Sequence, residues 1–181
     1  MAIDEQAFGP DHPLVAVRLA NLGELLETEG DEAGAEPLLR RALDIDEGKL
    51  GPEHPIVAMR LICLAEHLEL KGDNAGAEPL CRRALAINER VFGEDRPIIT
   101  RDLLCLAKLA HANGDNADAE QFYRRMVKVD ELWFGPNDLR VEWDLNTLAD
   151  FLMTTGNLAR AKPLILRPGL TERPRVRNSR S

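Results

Sequence analysis

The strongest constraint on the fold of this 181-residue chain is that its sequence repeats with a period of 42 residues. Residues 31–43 and 73–85 are identical at eleven of thirteen positions. A Gly- and Pro-containing hexapeptide recurs with the same period, at residues 8–13 (FGPDHP), 50–55 (LGPEHP), 92–97 (FGEDRP) and, in part, 134–137 (FGPN). A fixed period of this length is typical of repeat proteins, in which one supersecondary unit stacks on the next.

Each period predicts two helices. Leu19, Leu22 and Leu26 follow the helical spacing i, i+3, i+7, and the same stripe returns in the later repeats. Gly30 and Asp31 then mark the end of one helix and the start of the next, because glycine accepts the left-handed C-cap conformation and aspartate is a good N-cap. We expect the equivalent Asp73, Asp115 and Asn157 to cap the later second helices in the same way. No segment shows the alternation of polar and apolar residues expected of strands. The predicted fold class is therefore all-α.

These repeats resemble the tetratricopeptide repeat. The residues that match its Leu-Gly, large, Ala, large, Ala frame are Leu22, Gly23, Leu26, Ala35, Leu39 and Ala42. The period and the Gly-Pro-(Asp/Glu)-His-Pro connector resemble the kinesin light chain type more specifically. The resemblance implies a right-handed α-solenoid of about four helix-turn-helix repeats. We expect the last repeat to be degenerate, because Pro163 and Pro168 fall in its second helix.

The predicted solenoid spans residues 1–166. Its approximate repeats are 11–49, 53–91, 95–133 and 137–166, and residues 1–8 align with the end of a preceding second helix. Residues 167–181 contain five arginines and one glutamate, and we expect them to form a basic, disordered tail.

Composition argues against several functional classes. The net charge of −8 is unfavourable for binding nucleic acid, and no apolar run is long enough to predict a membrane span. The only serines are Ser179 and Ser181, so a serine-nucleophile enzyme is not expected. Three cysteines favour a reducing cytoplasm over a disulfide framework. We expect no cofactor and no metal site, since Cys63 and His67 share a helix face but have no further ligands nearby in the sequence.

The resemblance implies that the first helices line a concave groove that binds a peptide. The residues predicted to line it are Val17, Asn21, Glu24, Met59, Cys63, Glu66, Arg101, Cys105, Lys108, Trp143, Asn146 and Asp150. In the family, an asparagine often grips the peptide backbone, and only Asn21 retains it here. Acidic residues in the first half of the groove predict a partner with a basic stretch. Trp143 has two possible roles, as a partner anchor or as a filler between repeats.

Two other recurring features have structural interpretations. The arginine pairs resemble a nucleic-acid stripe, but Glu36, Glu78 and Glu120 precede Arg40, Arg82 and Arg124 by four residues. That spacing favours ion pairs within each helix. His12 and His54 belong to the repeated connector, and we expect them to be structural rather than catalytic. Equivalent Cys63 and Cys105 lie on neighbouring first helices, too far apart for an easy disulfide.

The function predicted from the sequence is a non-enzymatic scaffold that binds a peptide or partner protein. The alternative is a self-assembling or autoregulated module. Its contacts would be made by the arginine-rich tail or by the uncapped ends of the solenoid, so a homo-oligomer is possible.

Overall fold

The computed structural model describes residues 8–166, which form four consecutive pairs of antiparallel helices. The helices are α1 (Pro13–Glu29), α2 (Glu32–Leu50), α3 (Pro55–Leu70), α4 (Asn74–Phe92), α5 (Thr100–Ala112), α6 (Asn116–Phe134), α7 (Leu139–Thr154) and α8 (Leu158–Ile165). Each pair packs on the next, so the all-α repeat solenoid is confirmed. The predicted remnant (apart from Phe8) and the tail at 167–181 lie outside the described residues, and the repeat boundaries stay a prediction.

The turn between the two helices of a repeat uses glycine and aspartate as predicted in the first half of the chain. Gly30 has φ of 82° and ends α1, and the Asp31 carboxylate accepts a hydrogen bond of 3.0 Å from the Gly34 amide. Asp115 and Asn157 make no such bond, so their predicted capping role is wrong. A Cβ at Gly34 would lie 2.5 Å from the Asp31 carboxylate. The third and fourth repeats carry Asp118 and Arg160 at that position, and their Cβ atoms explain the loss of the cap.

Connector histidines start the first helices. His12 Nδ1 accepts a hydrogen bond of 3.2 Å from the Leu14 amide, and His54 repeats this geometry one period later. Their structural role is thus confirmed. Arg96 occupies the same position in the third repeat, where a guanidinium cannot accept a hydrogen bond. A 3-10 helix, Pro97–Ile99, precedes α5 there.

The predicted leucine stripe supplies the core. Its buried members are Leu19, Leu61, Leu64, Leu68, Leu103, Leu106, Leu145, Leu148 and Leu152. Leu22 and Leu26 are only partly buried. Ala35 and Ala42 are fully buried between the paired helices, where their small side chains allow close approach. No helix among residues 8–166 is long and apolar enough to cross a membrane.

Proline does not interrupt the last repeat where the sequence suggested. Pro163 lies inside α8, and the equivalent Pro37 and Pro79 lie inside the 19-residue helices α2 and α4. Each is the sixth residue of its helix, where proline removes one backbone hydrogen bond. The helices α2 and α4 continue well past it, whereas α8 has only eight residues, so the last repeat is shortened as predicted. Pro168 lies outside the described residues.

Candidate partner-binding surface

The first helices of successive repeats lie side by side and exchange ion pairs. Arg101 on α5 contacts Glu66 on α3 through two hydrogen bonds, of 3.0 and 2.5 Å. Lys108 Nζ lies 3.9 Å from Glu69, also on α3. The basic residues predicted for the third repeat are therefore paired with acids predicted for the first half of the groove. Because these charges offset each other locally, the surface is less polarised than its sequence suggests.

Most of the predicted groove residues are accessible. The exposed members are Val17, Asn21, Glu24, Met59, Arg101, Lys108, Trp143, Asn146 and Asp150. Glu66 is partly buried. Cys63 is buried, and its Sγ lies 3.7 Å from a Glu24 oxygen. Burial raises the pKa of the Cys63 thiol, so this group stays protonated at neutral pH.

Cys105 does not line the groove. It is 2% exposed and forms a disulfide with Cys81 on α4, with a Cα–Cα distance of 6.3 Å. That distance lies within the usual range for disulfides. The partner of Cys105 is therefore Cys81 on a second helix, and not Cys63, which is its equivalent in the preceding repeat. The expectation that the cysteines form no disulfide framework is wrong for Cys81 and Cys105.

One row of groove residues lines two cavities that are related by the repeat. The row consists of Val17, Met59, Arg101 and Trp143, which occupy equivalent positions 42 residues apart. Met59 and Arg101 lie in the wall of a cavity of about 270 Å³ between α3, α4 and α5, here called the second-junction cavity. Arg101 and Trp143 lie in the wall of a cavity of about 390 Å³ between α5, α6 and α7, the third-junction cavity. Trp143 is 54% exposed in that wall, so it does not fill the interior between repeats.

A buried polar pair stands at each of the three junctions between repeats. At the first junction, Arg60 Nε donates to Asp46 Oδ2 over 2.8 Å. At the second, Asn88 Nδ2 donates to Asp102 Oδ2 over 2.7 Å. At the third, the pair comprises two carboxyl groups, Asp130 and Asp144, which are hydrogen-bonded to each other. These junction pairs occupy the same two positions in every repeat.

The carboxyl groups at the second and third junctions are harder to ionise than exposed ones. Burial raises the pKa of Asp102 to about 6, although its hydrogen bond from Asn88 opposes the shift. Burial, assisted by the neighbouring Asp130 charge, raises the pKa of Asp144 to about 7. Burial also raises the pKa of Asp130. The third pair therefore shares a proton at mildly acid pH.

Sequence reasoning missed the junction pairs, although a signal was present. Positions 46, 88 and 130 carry Asp, Asn and Asp, and positions 60, 102 and 144 carry Arg, Asp and Asp. Polar residues that recur with the period among otherwise apolar positions indicate a buried polar contact. Aligning the repeats by polarity as well as by leucine would have found them.

The arginine pairs are structural. Their first members bind a glutamate four residues earlier, as predicted, over 2.9 Å for Arg40, 2.8 Å for Arg82 and 2.6 Å for Arg124. Their second members donate to the connector carbonyl 31 residues earlier, in the pairs Arg41–Pro10, Arg83–Pro52 and Arg125–Glu94. Each arginine pair thus fixes its own helix and the preceding connector. Among residues 8–166, no group of three or more acidic, histidine or cysteine side chains is placed to hold a metal ion.

Comparison with known proteins agrees with this architecture. A family model described as tetratricopeptide repeat matches residues 1–48 and 56–131. The crystal structure of BtubC (BKLC) from P. vanneervenii is 20% identical, with a TM-score of 0.78 over 94% of this chain and 70% of that one. A kinesin light chain from Podosopora anserina with nearly identical TPR-like repeats is 21% identical, with a TM-score of 0.75 over 84% of this chain and 72% of that one. A search of curated protein sequences finds no match.

Proposed function

We propose a function for this chain from its membership of the tetratricopeptide repeat family, in which it is of the kinesin light chain type. It is a non-enzymatic scaffold that binds a peptide segment of a partner protein along its first helices. Proteins of this family generally mediate protein–protein interaction. The bound segment contacts the row formed by Val17, Met59, Arg101 and Trp143. A preformed solenoid binds without the cost of ordering its own surface.

One observation carries this proposal: two open cavities stand one repeat apart on the same row of residues. Their volumes of about 270 and 390 Å³ suit single side chains. Met59 and Trp143 are exposed apolar residues at equivalent wall positions. A peptide that inserts side chains at a regular interval would match this repeat of pockets and walls. Exposed methionine and tryptophan are also common anchors of protein interfaces.

A capture experiment with a matched control tests the proposed surface. Wild type, Met59→Arg and Leu132→Arg are immobilised and exposed to lysate of the source cell, and bound proteins are identified by mass spectrometry. Leu132 lies on the second helix α6 and is also exposed, so its substitution adds the same charge elsewhere. We expect a partner that wild type and Leu132→Arg recover and Met59→Arg does not. Equal recovery by all three folded proteins would place the interface on another face.

Self-assembly is the second candidate, and the exposed apolar side of α8 favours it. Leu158 and Ile165 on α8, Leu166 just after it and Met153 near the end of α7 are exposed and line a cavity of about 300 Å³. Such a surface is suited to contact with another copy or with residues 167–181. Sedimentation equilibrium over a hundredfold range of concentration distinguishes these arrangements. A mass that rises with concentration in wild type and not in Leu158→Glu supports assembly through α8, and a constant monomer mass contradicts it.

The disulfide between Cys81 and Cys105 removes the basis of the cytoplasmic location, which rested on the low cysteine count. A disulfide between Cys81 and Cys105 is uncommon in reducing compartments. We still propose that the partner carries a basic stretch. Glu66 no longer supports this proposal, because it is already paired with Arg101. The support comes instead from the acidic pair at the third junction, Asp130 and Asp144.

A further inference from the structure

The third junction differs from the other two in having neither a guanidinium nor an amide as its hydrogen-bond donor. Arg60 supplies a cation to Asp46 at the first junction, and Asn88 supplies an amide to Asp102 at the second. At the third junction both positions are aspartates. When the two carboxyl groups share one proton, the pair has acceptors in excess of donors.

The unused acceptors are buried, and the two residues that carry them line a cavity. Asp130 and Asp144 are 5% and 3% exposed, and both line the third-junction cavity of about 390 Å³. Asp130 Oδ1 and Asp144 Oδ2 have no hydrogen-bond partner. Buried carboxylate oxygens without partners are costly, so this geometry favours a ligand that donates hydrogen bonds.

The first junction shows within the same fold which group satisfies this position. The Arg60 guanidinium is itself buried and lies 2.8 Å from Asp46. Asp144 occupies the position of Arg60 in the third junction. Neither of the two positions supplies a cation at the third junction, so a guanidinium there would have to come from outside the pair.

Neighbouring arginines do not meet this need. Arg101 on α5 lies in the cavity wall, but its guanidinium is hydrogen-bonded to Glu66. Arg140 at the start of α7 is hydrogen-bonded to Asp138 over 2.9 Å and stacks on the Phe134 ring at 3.4 Å. Both guanidinium groups are therefore already engaged with carboxylates. Neither donates a hydrogen bond to the unpartnered oxygens of Asp130 and Asp144.

We propose that the third-junction cavity binds the arginine side chain of a partner peptide, with the guanidinium donating to Asp130 and Asp144 and the aliphatic stem packing against Trp143. The inference rests on the proposed function and names the side chain that the surface recognises. Leu104 and Met126 line the rest of the cavity with apolar surface. A planar guanidinium can donate to two carboxyl groups at once and can also stack on an indole ring, which a lysine ammonium cannot do equally well.

A capped tripeptide provides the probe. Acetyl-Gly-Arg-Gly-amide is titrated into the full ¹⁵N-labelled chain, and the indole N–H signal of Trp143 is followed by NMR. The chain has two tryptophans, and Trp133→Phe identifies which signal belongs to Trp143. The same peptide with citrulline is the uncharged isostere. We expect the arginine peptide to shift the Trp143 signal with a dissociation constant on the order of 1 mM, and citrulline to bind at least about tenfold more weakly.

Three variants distinguish this site from general charge attraction. Asp130→Asn with Asp144→Asn should weaken arginine binding at least about tenfold, because both amides keep the shape and remove the charge. Asp102→Asn removes the equivalent charge from the second junction and should leave the Trp143 titration unchanged. Asp144→Arg should rebuild the first-junction pair with Asp130, raise the melting temperature and abolish peptide binding. Circular dichroism checks that each variant is folded.

Each remaining outcome overturns the inference. Equal binding of arginine and citrulline peptides, or unchanged binding to the double asparagine variant, would remove the carboxyl pair from recognition. A partner captured by wild type and lost with Met59→Arg, but retained by the double asparagine variant, would leave the proposed function intact while excluding the arginine pocket. A further variant replaces the five arginines of residues 167–181 with glutamine. If the arginine peptide binds only to this variant, the chain's own tail occupies the cavity in wild type, which contradicts a partner arginine.

Discussion

Breaking the ion pair at the first junction should cost far more stability than breaking an exposed pair of the same length. Arg60 and Asp46 are 6% and 1% exposed, and the Nε–Oδ2 distance is 2.8 Å. At an effective dielectric constant of about 20, opposite charges at that distance attract by about 6 kcal/mol before desolvation is counted. Arg60→Met leaves the buried Asp46 carboxylate without its partner. We expect it to lower the free energy of unfolding by about 3–5 kcal/mol.

A double-mutant cycle separates the ion pair from the effect of side-chain size. Arg60→Met, Asp46→Leu and the double variant are compared by urea denaturation at pH 7, monitored by circular dichroism. The double variant should lie within about 1 kcal/mol of wild type or above it, because no charge is left buried without a partner. Arg40→Met is the matched control. Arg40 pairs with Glu36 over 2.9 Å but is largely exposed, so its loss should cost about 0.2–0.5 kcal/mol.

The reasoning about buried pairs would be refuted by either of two results. Arg60→Met might prove no more destabilising than Arg40→Met, which would mean that burial does not raise the cost of losing a partner here. Alternatively, the double variant might be as unstable as the single one, which would assign the loss to packing of the Arg60 stem rather than to the stranded Asp46 charge.

Three further predictions follow from the junctions and caps. The raised pKa of Asp144, about 7 against an ordinary 3.8, means that the folded state holds a proton that the unfolded state releases; wild-type stability is therefore lost as pH rises from about 4 through about 7. Asp144→Asn should gain stability relative to wild type over that interval by up to about 1.4 kcal/mol per pH unit, and a difference independent of pH in parallel urea titrations would contradict the shared proton. The disulfide between Cys81 and Cys105 closes a loop of 24 residues, so reducing it should lower the free energy of unfolding by about 3 kcal/mol. The intact mass of the unreduced protein should be lower than that of the reduced protein by two hydrogen atoms. A Cys81→Ser variant with the melting temperature of wild type in oxidising buffer would argue against the bond. His54→Ala removes the cap of α3 and should cost about 1 kcal/mol in thermal unfolding, whereas no loss would show that the connector holds the helix start without it.

The repeat made the fold predictable because its signals are local. Helical spacing of Leu19 and its equivalents, and the left-handed glycine at Gly30, depend only on neighbouring residues. Capping by Asp115 was wrong because the cap also requires glycine three residues later, where that repeat has aspartate. Local patterns therefore predicted the elements better than their exact contacts.

The candidate site was less predictable because it depends on contacts between repeats. Met59 and Trp143 are exposed, as expected for groove residues from the resemblance to the tetratricopeptide repeat. The pairing of Glu66 with Arg101 could not be read from either residue alone, since the two lie 35 positions apart on adjacent helices. The disulfide of Cys105 likewise joins helices of different repeats.

Site-specific photocrosslinking in the source cell tests most directly whether a partner binds along the first helices. A photoreactive phenylalanine analogue replaces Met59 in one variant, Leu132 in a second and Leu158 in a third, which places it on the proposed surface, on the second helix α6 and on α8. We expect a covalent adduct with a partner protein from position 59 and none from position 132. Adducts from position 132 or 158 alone would contradict binding along the first helices.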